Sequence, residues 1–320
     1  MSDMRPQLLA TAEMLFAAAP DWLVLADAGF PLLLVPEADG GFGGDWGDAF
    51  AVLRAAGASA LAQPLGEAMI AAHLLARAGM AQPRGRTAIA PHAVGSVEGD
   101  HFCGSLGGVA WGGGANAVVA MIDGAVFRLP GSDAVRSGVN PAGEPRDTLT
   151  YDGAIAVPIG DADLLALGAF VRVSQAAGAL DAALALAAAH VSSRVQFGKP
   201  LGKLQAVQQS LAVLASEAAA VNMAGAAAAA ALDVADAGFE LAAAKLRTNI
   251  AIERGVGIAH QVHGAIGFTQ DYPLHPLTRR LMGWRSEFGG DALWADRLGA
   301  LAVAHGGAGL WVEITRRGDR

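Results

Sequence analysis

Cysteine is nearly absent: Cys103 is the only one in 320 residues. No disulfide can form within the chain, which fits a reducing cytoplasm, the expected location. Charge is also scarce, at 16% of residues, and nowhere forms a basic tract. With a net charge of -8 this argues against a nucleic-acid partner, because phosphate backbones are bound by massed lysine and arginine. The N-terminal residues lack a basic segment followed by an apolar run, so no signal peptide is expected. The most apolar stretch, 218–232, is alanine rather than leucine and is bracketed by Glu217 and Asp233. It reads as too short and too weakly apolar to cross a bilayer, and no membrane insertion is expected.

Apolar residues, by contrast, make up 53% of the chain. That is ample for a large core, and the length suggests two or three domains. So many apolar helix faces exceed what one copy can hide, so oligomerisation is expected.

The chain divides by pattern. From 1 to 83 apolar residues recur at helical spacing, with Asp21 and Asp45 placed as N-caps. The glycine-rich stretch 36–45 lacks a following Gly-Lys-Ser/Thr and any strand–helix dinucleotide fingerprint, so it reads as a turn. From 84 to 160 short β-type runs replace the alanine helices, and Asp123-Gly124 between two of them is a hairpin signal. Trp111, beside Gly112-Gly113-Gly114, reads as core of this small antiparallel β-domain. From 161 to 320 three long helices are predicted, over 161–194, 204–237 and 239–262, followed by shorter ones. Short turns between long helices mean an antiparallel four-helix-type bundle.

Between the first two long helices lies Arg194-Val195-Gln196-Phe197-Gly198-Lys199-Pro200-Leu201. Arginine's planar fork donates two hydrogen bonds at once and suits a phosphate. Gly198 permits a close backbone approach, and Pro200 can open a helix. On these residues alone the tract is either a phosphate clamp or an ordinary corner carrying a surface arginine.

The second half of the chain adds Gln261-Val262-His263-Gly264-Ala265-Ile266-Gly267-Phe268-Thr269-Gln270-Asp271-Tyr272-Pro273-Leu274, with Arg279 beyond it. Together with Arg194-x-Gln196-Phe197-Gly198-Lys199-x-Leu201, Gln205 and the opening Val35-Pro36-Glu37-x-x-Gly40-Gly41, these motifs resemble those of the acyl-CoA dehydrogenases. The resemblance spans nearly the whole chain and implies that family's fold: an N-terminal helical domain, a middle β-domain and a C-terminal bundle. It implies an oxidoreductase with FAD as cofactor, an acyl-CoA substrate and an electron-transfer flavoprotein as acceptor. It places Arg194 and Gln196 on the FAD pyrophosphate and Phe197 on the adenosine. Gln205 also falls at a cofactor position, and Gln261, Gly264 and Ala265 lie along the adenine–pyrophosphate end. In the family these groups reach the flavin of a neighbouring subunit. Gly264-Ala265 departs from the more usual Gly-Gly, and His263 reads as a packed or solvent-facing histidine rather than a base.

The catalytic half departs further. The family's proton-abstracting glutamate aligns with Phe288, or with Gly289 after one insertion, and neither takes a proton. A minority of the family carries the glutamate earlier, at a position that falls near Gly168. Glu287 is the nearest carboxylate and the candidate base, but it sits one residue out of register. Gly290, Asp291, Ala292 and Leu293 replace the residues that would touch the flavin, and the flavin loop around Trp111 is missing. This pattern resembles the shorter, base-lacking subunit of hetero-oligomeric members that act on steroid side chains, paired with a full-length subunit. Two alternatives are a self-sufficient homo-oligomer using Glu287, and a structural or regulatory helical protein that has lost flavin.

Overall fold

The computed structural model describes residues 5–318; residues 1–4 and 319–320, the outer ends of the expected first and last domains, lie outside the described residues. Four helices come first: α1 (Arg5–Ala17), α2 (Trp22–Asp27), α3 (Trp46–Ala58) and α4 (Leu65–Arg77). Asp21 caps α2 by accepting from the Val24 N–H at 3.1 Å. Asp45 and Asp48 form a reciprocal capping box at the start of α3. The same two carboxylates accept from Arg5 at 2.7 and 2.6 Å, so one acidic pair both starts α3 and ties α1 to it. The glycine-rich stretch after Val35 is a loop around a short 3-10 turn, as its composition predicts.

Two four-stranded sheets follow. One is ordered β1 (Arg86–Ala90), β4 (Ala115–Ile122), β5 (Ala125–Pro130), β8 (Val157–Gly160). The other is ordered β2 (Ala93–Glu98), β3 (His101–Ala110), β7 (Arg146–Ile155), β6 (Ala134–Arg136). Asp123 and Gly124 turn β4 into β5 with φ of 49° and 84°, the paired positive values that a tight hairpin needs. One pairing departs from the all-antiparallel expectation: β1 runs parallel to β4, because β2 and β3 cross to the other sheet before the chain returns.

The bundle contains α5 (Leu164–Ser193), α6 (Gln205–Asp233), α7 (Gly238–His263), α8 (Leu274–Ser286) and α9 (Asp291–Gly318). Asp163 is the N-cap of α5, accepting from the Ala166 N–H at 3.0 Å. A two-residue hairpin, β9 (Val195–Gln196) and β10 (Lys199–Pro200), joins α5 to α6. Its turn is Phe197-Gly198, with φ of 54° and 74°. Pro276 does not interrupt α8: it lies in the first turn, where a missing N–H costs nothing. α9 is broken at Gly306, whose φ is 65° and ψ is 166°.

By length and composition α5, α6 and α9 are each long and apolar enough to cross a membrane, which the 218–232 run alone did not suggest. α5 and α6 direct their apolar faces at protein. The first half of α5 is buried on every side, in a core shared with α3, α4, the β1–β4–β5–β8 sheet and the α6–α7 corner. Its second half passes into a core with α6, α7 and α8. α5 is therefore the shaft on which the helical and β parts are mounted.

Its closest neighbour is α3. A Cβ on Gly178 would overlap the Arg54 carbonyl oxygen, and one on Gly57 would overlap the Gln175 carbonyl oxygen. Two glycines thus let the helix backbones touch. Gly178→Ala should push α3 off α5 and destabilise the fold by about 1–3 kcal/mol, read as a lower urea midpoint with an unchanged slope.

Candidate functional site

Where α5 ends, the helical N–H of Arg194 still bonds to the His190 carbonyl oxygen at 2.9 Å, but its backbone is already extended (φ -77°, ψ 119°). The arginine therefore leaves the helix at the mouth of a cavity of about 590 Å³. The cavity lies between the end of α5, the hairpin, the start of α6 and the end of α7. Arg194, Gln196, Gln261, Gly264 and Ala265 line it, so five of the seven expected cofactor residues, from two distant tracts, meet in one place.

Two features suit this cavity to an anion. Leu204 provides no side-chain cap for α6, leaving its first-turn N–H groups without a side-chain acceptor, and Ala206 and Val207 of that turn face the cavity. At the far wall α7 stops at Gly264, which takes φ 65° and ψ -146°, with no atom within 4 Å of where a Cβ would sit. Backbone there is open to a ligand, and Ala265 keeps the wall nearly as bare.

The remaining two expected residues sit elsewhere. Phe197 is at the hairpin tip, 85% exposed, and does not line the cavity. Gln205 is exposed at the first position of α6 and is also outside the lining. Within this chain neither reaches the pocket. His263 is packed, at 5% exposure, and donates from Nδ1 to the Ala259 carbonyl oxygen at 2.7 Å. Its ring stacks on His190 with centroids 4.8 Å apart, and Tyr272 meets it edge-on at 5.2 Å.

Of the positions expected for a catalytic base, Phe288, Gly289 and the candidate Glu287 line a second cavity of about 530 Å³, between β1, the β3 glycines, α5 and the end of α8, and Gly168 does not. Phe288 and Gly168, two of the three alternative base positions, are in direct contact: a Cβ on Gly168 would overlap the Phe288 ring. The phenyl group fills the space that the glycine vacates. Phe288 does so with a left-handed backbone, φ 55°, held by Trp294 Nε1 donating to its carbonyl oxygen at 2.9 Å. Trp111, also left-handed at φ 48°, is half-buried beneath the Arg146 guanidinium rather than in the β-core.

Glu287 does not have the surroundings of a base. Arg172 Nε donates to it at 2.7 Å, Arg146 donates through both Nε and Nη2 at 3.0 Å, and Asn140 Nδ2 adds a further bond at 3.0 Å. Burial alone would raise its pKa; Arg172 and then Arg146 outweigh burial and hold it at about 2. A general base works best near the operating pH, so this carboxylate is an anchor. It belongs to a buried chain of alternating charge. Arg172 also pairs with Glu67 of α4, Arg146 with Glu144, and Glu144 with Arg280 of α8 at 2.8 Å. Beside it Lys245 is fully buried, with Nζ donating to Asn249 Oδ1 at 2.6 Å and to the Trp284 and Arg285 carbonyl oxygens at 3.0 and 3.1 Å. Burial first, then Arg172, lowers its pKa to about 7.

Sequence reasoning did not single out Glu67, Arg146, Arg172, Lys245 or His190. The available signal was an arginine inside the most apolar half of a long helix, where an unpaired charge would be prohibitive.

The helix–sheet–helix order and the cationic cavity at the bundle tip define a class of fold, and comparisons with known proteins identify it further. Residues 162–299 match the family model for the acyl-CoA dehydrogenase C-terminal domain. Acyl-CoA dehydrogenase FadE28 of Mycobacterium tuberculosis is 29% identical over 218 residues, or 64% of this chain and 63% of FadE28. The chain thus spans just under two thirds of that relative's length. Among solved structures, the ChsE4–ChsE5 complex from Mycobacterium tuberculosis superposes with a TM-score of 0.85 at 24% identity, covering 94% of this chain and 97% of that one. The Tcur3481–Tcur3483 steroid acyl-CoA dehydrogenase variant gives 0.86 at 24%, covering 96% and 99%. Residues 162–299 thus match the acyl-CoA dehydrogenase C-terminal domain, a family of oxidoreductases, and the chain as a whole has that family's fold.

The Glu287 anchor has a pH signature. Its folded value, about 2, lies below the ordinary 4.5, so its stabilisation is full above pH 4.5 and lost as pH falls towards 2. Glu287→Gln leaves two buried guanidiniums short of a counter-charge and should cost about 3–5 kcal/mol at neutral pH. Thermal melts of both forms across that window should converge as the pH drops; parallel curves would remove the anchor role.

Proposed function

We propose that this chain is the base-lacking, FAD-completing subunit of a hetero-oligomeric acyl-CoA dehydrogenase. The observation that carries the reading is the contrast between its two cavities. The Arg194 cavity presents an arginine unpaired among the described residues, while in the other Phe288 packs into the space at Gly168, Gly289 bears no side chain and Glu287 is ion-paired.

FAD fits the Arg194 cavity as a diphosphate, with Arg194, Gln196 and the N-terminal turn of α6 as donors and Gly264-Ala265 as the bare wall. When bound, it supplies the hydride acceptor for α,β-dehydrogenation of an acyl-CoA thioester. This chain's residues would hold the nucleotide end and keep water from the pyrophosphate. The α-proton would pass to a carboxylate of the partner, since Glu287 is committed to Arg146 and Arg172. Phe197, exposed at the hairpin tip, is placed to reach across to the partner's side. The two-component ChsE4–ChsE5 and Tcur3481–Tcur3483 structures support a hetero-oligomer, and the latter's steroid designation supports a bulky steroid-type acyl group. An electron-transfer flavoprotein is the acceptor that the family implies.

The chain should be colourless and inactive alone, and yellow and active when co-purified with a full-length family member. Arg194→Ala should weaken FAD retention by that complex about 10- to 100-fold, the loss of a charge-assisted hydrogen bond. Steady turnover of an acyl-CoA by this chain alone would contradict the reading.

A further inference from the structure

The Arg194 cavity holds a histidine whose ring has no assigned use. His190 lies one turn before Arg194 on α5, so both side chains share a face, and both line the cavity. His190 is half-buried, and neither ring nitrogen bonds to another described residue. Its ring is braced from behind: it stacks on His263 at 4.8 Å and 26°, and Tyr272 closes the edge at 6.5 Å. An imidazole held this firmly, with free nitrogens at an anion-shaped cavity, is arranged for a ligand rather than for the fold.

We infer that His190 is a second, proton-dependent contact for the diphosphate of the bound dinucleotide, taking up a proton when the diphosphate binds. The inference rests on the FAD-completing reading above.

The two rings of the stacked pair are not equivalent. His263 Nδ1 donates to the Ala259 carbonyl oxygen, while its Nε2 is buried with no partner. Both rings border the cavity, but His190 is the half-buried one, and both of its nitrogens are uncommitted among the described residues. The groups around it oppose protonation in the empty site. Burial, His263 and Arg194 all push its pKa down. The hairpin and 3-10 turn packed at this end carry Lys199 and Lys203, and the cavity-facing residues of α6 are the uncharged Ala206, Val207 and Ser210. A diphosphate reverses this balance, because an opposite charge within hydrogen-bond reach favours the imidazolium. Proton uptake and nucleotide binding are then linked, each strengthening the other.

The test uses the full chain with FAD at millimolar concentration, since its diphosphate diester has no titration of its own near neutrality. The imidazole C–H signals are followed by NMR between about pH 5.5 and 8, with His190→Phe assigning the resonance and preserving a flat ring. FAD should raise the His190 pKa by about one unit or more. FAD affinity should rise on acidification in the wild type and be flat in His190→Phe, with both alike at about pH 8. If FAD binds at this cavity but the His190 titration stays put, or His190→Phe keeps the pH dependence, the inference is wrong while the FAD reading stands. If FAD perturbs no signal from the cavity, and the Arg194→Ala complex retains flavin like the wild-type complex, both fall.

Discussion

The buried ion network at the end of α8 is the constraint on which the rest depends. Glu67 comes from the N-terminal helices, Arg146 and Glu144 from the β-part, and Arg172, Arg280 and Glu287 from the bundle. Three cations meet three anions from all three regions, so no region can shift without exposing a buried charge to an apolar wall. Isolated buried pairs seldom stabilise relative to apolar packing, but breaking one is costly, and that asymmetry is what makes such a network a fixing device. Because it occupies the cleft where a base would act, architecture and chemistry compete for the same carboxylate. In this chain architecture has it.

The tip of the bundle obeys the opposite logic. Arg194 has no ion-pair partner among the described residues, α6 has no side-chain cap, and Gly264 has open space beside it. Each is a cost to the isolated chain that an incoming anion would offset. One end of the molecule has its charges matched internally, and the other leaves them for a ligand. That division is the physical content of calling the chain a completing subunit.

Much of this was legible in the sequence. The helix–sheet–helix order followed from the change of periodicity near 84 and 160, and the Asp123-Gly124 hairpin from its turn chemistry. Five of seven cofactor positions converged, because motifs at 194–201 and 261–274 sit on helices whose ends must adjoin in an antiparallel bundle. The parallel β1–β4 pair was not legible, because parallel pairing depends on where the chain returns, not on local pattern. Nor was the fate of Glu287, since its donors lie 115 and more residues away. The Phe288–Gly168 contact was hidden for the same reason: each substitution looks like a simple loss until the two are seen to fill one space.

The measurement closest to the central claim is the flavin content of the purified complex with a full-length partner, counted against both chains by absorbance. One flavin for every two chains is the expected result: this chain's Arg194 cavity would complete the partner's site, and its own cleft, with Phe288 at the base position, would hold none. One flavin on every chain would show that this chain's cleft also binds cofactor, and would contradict the account.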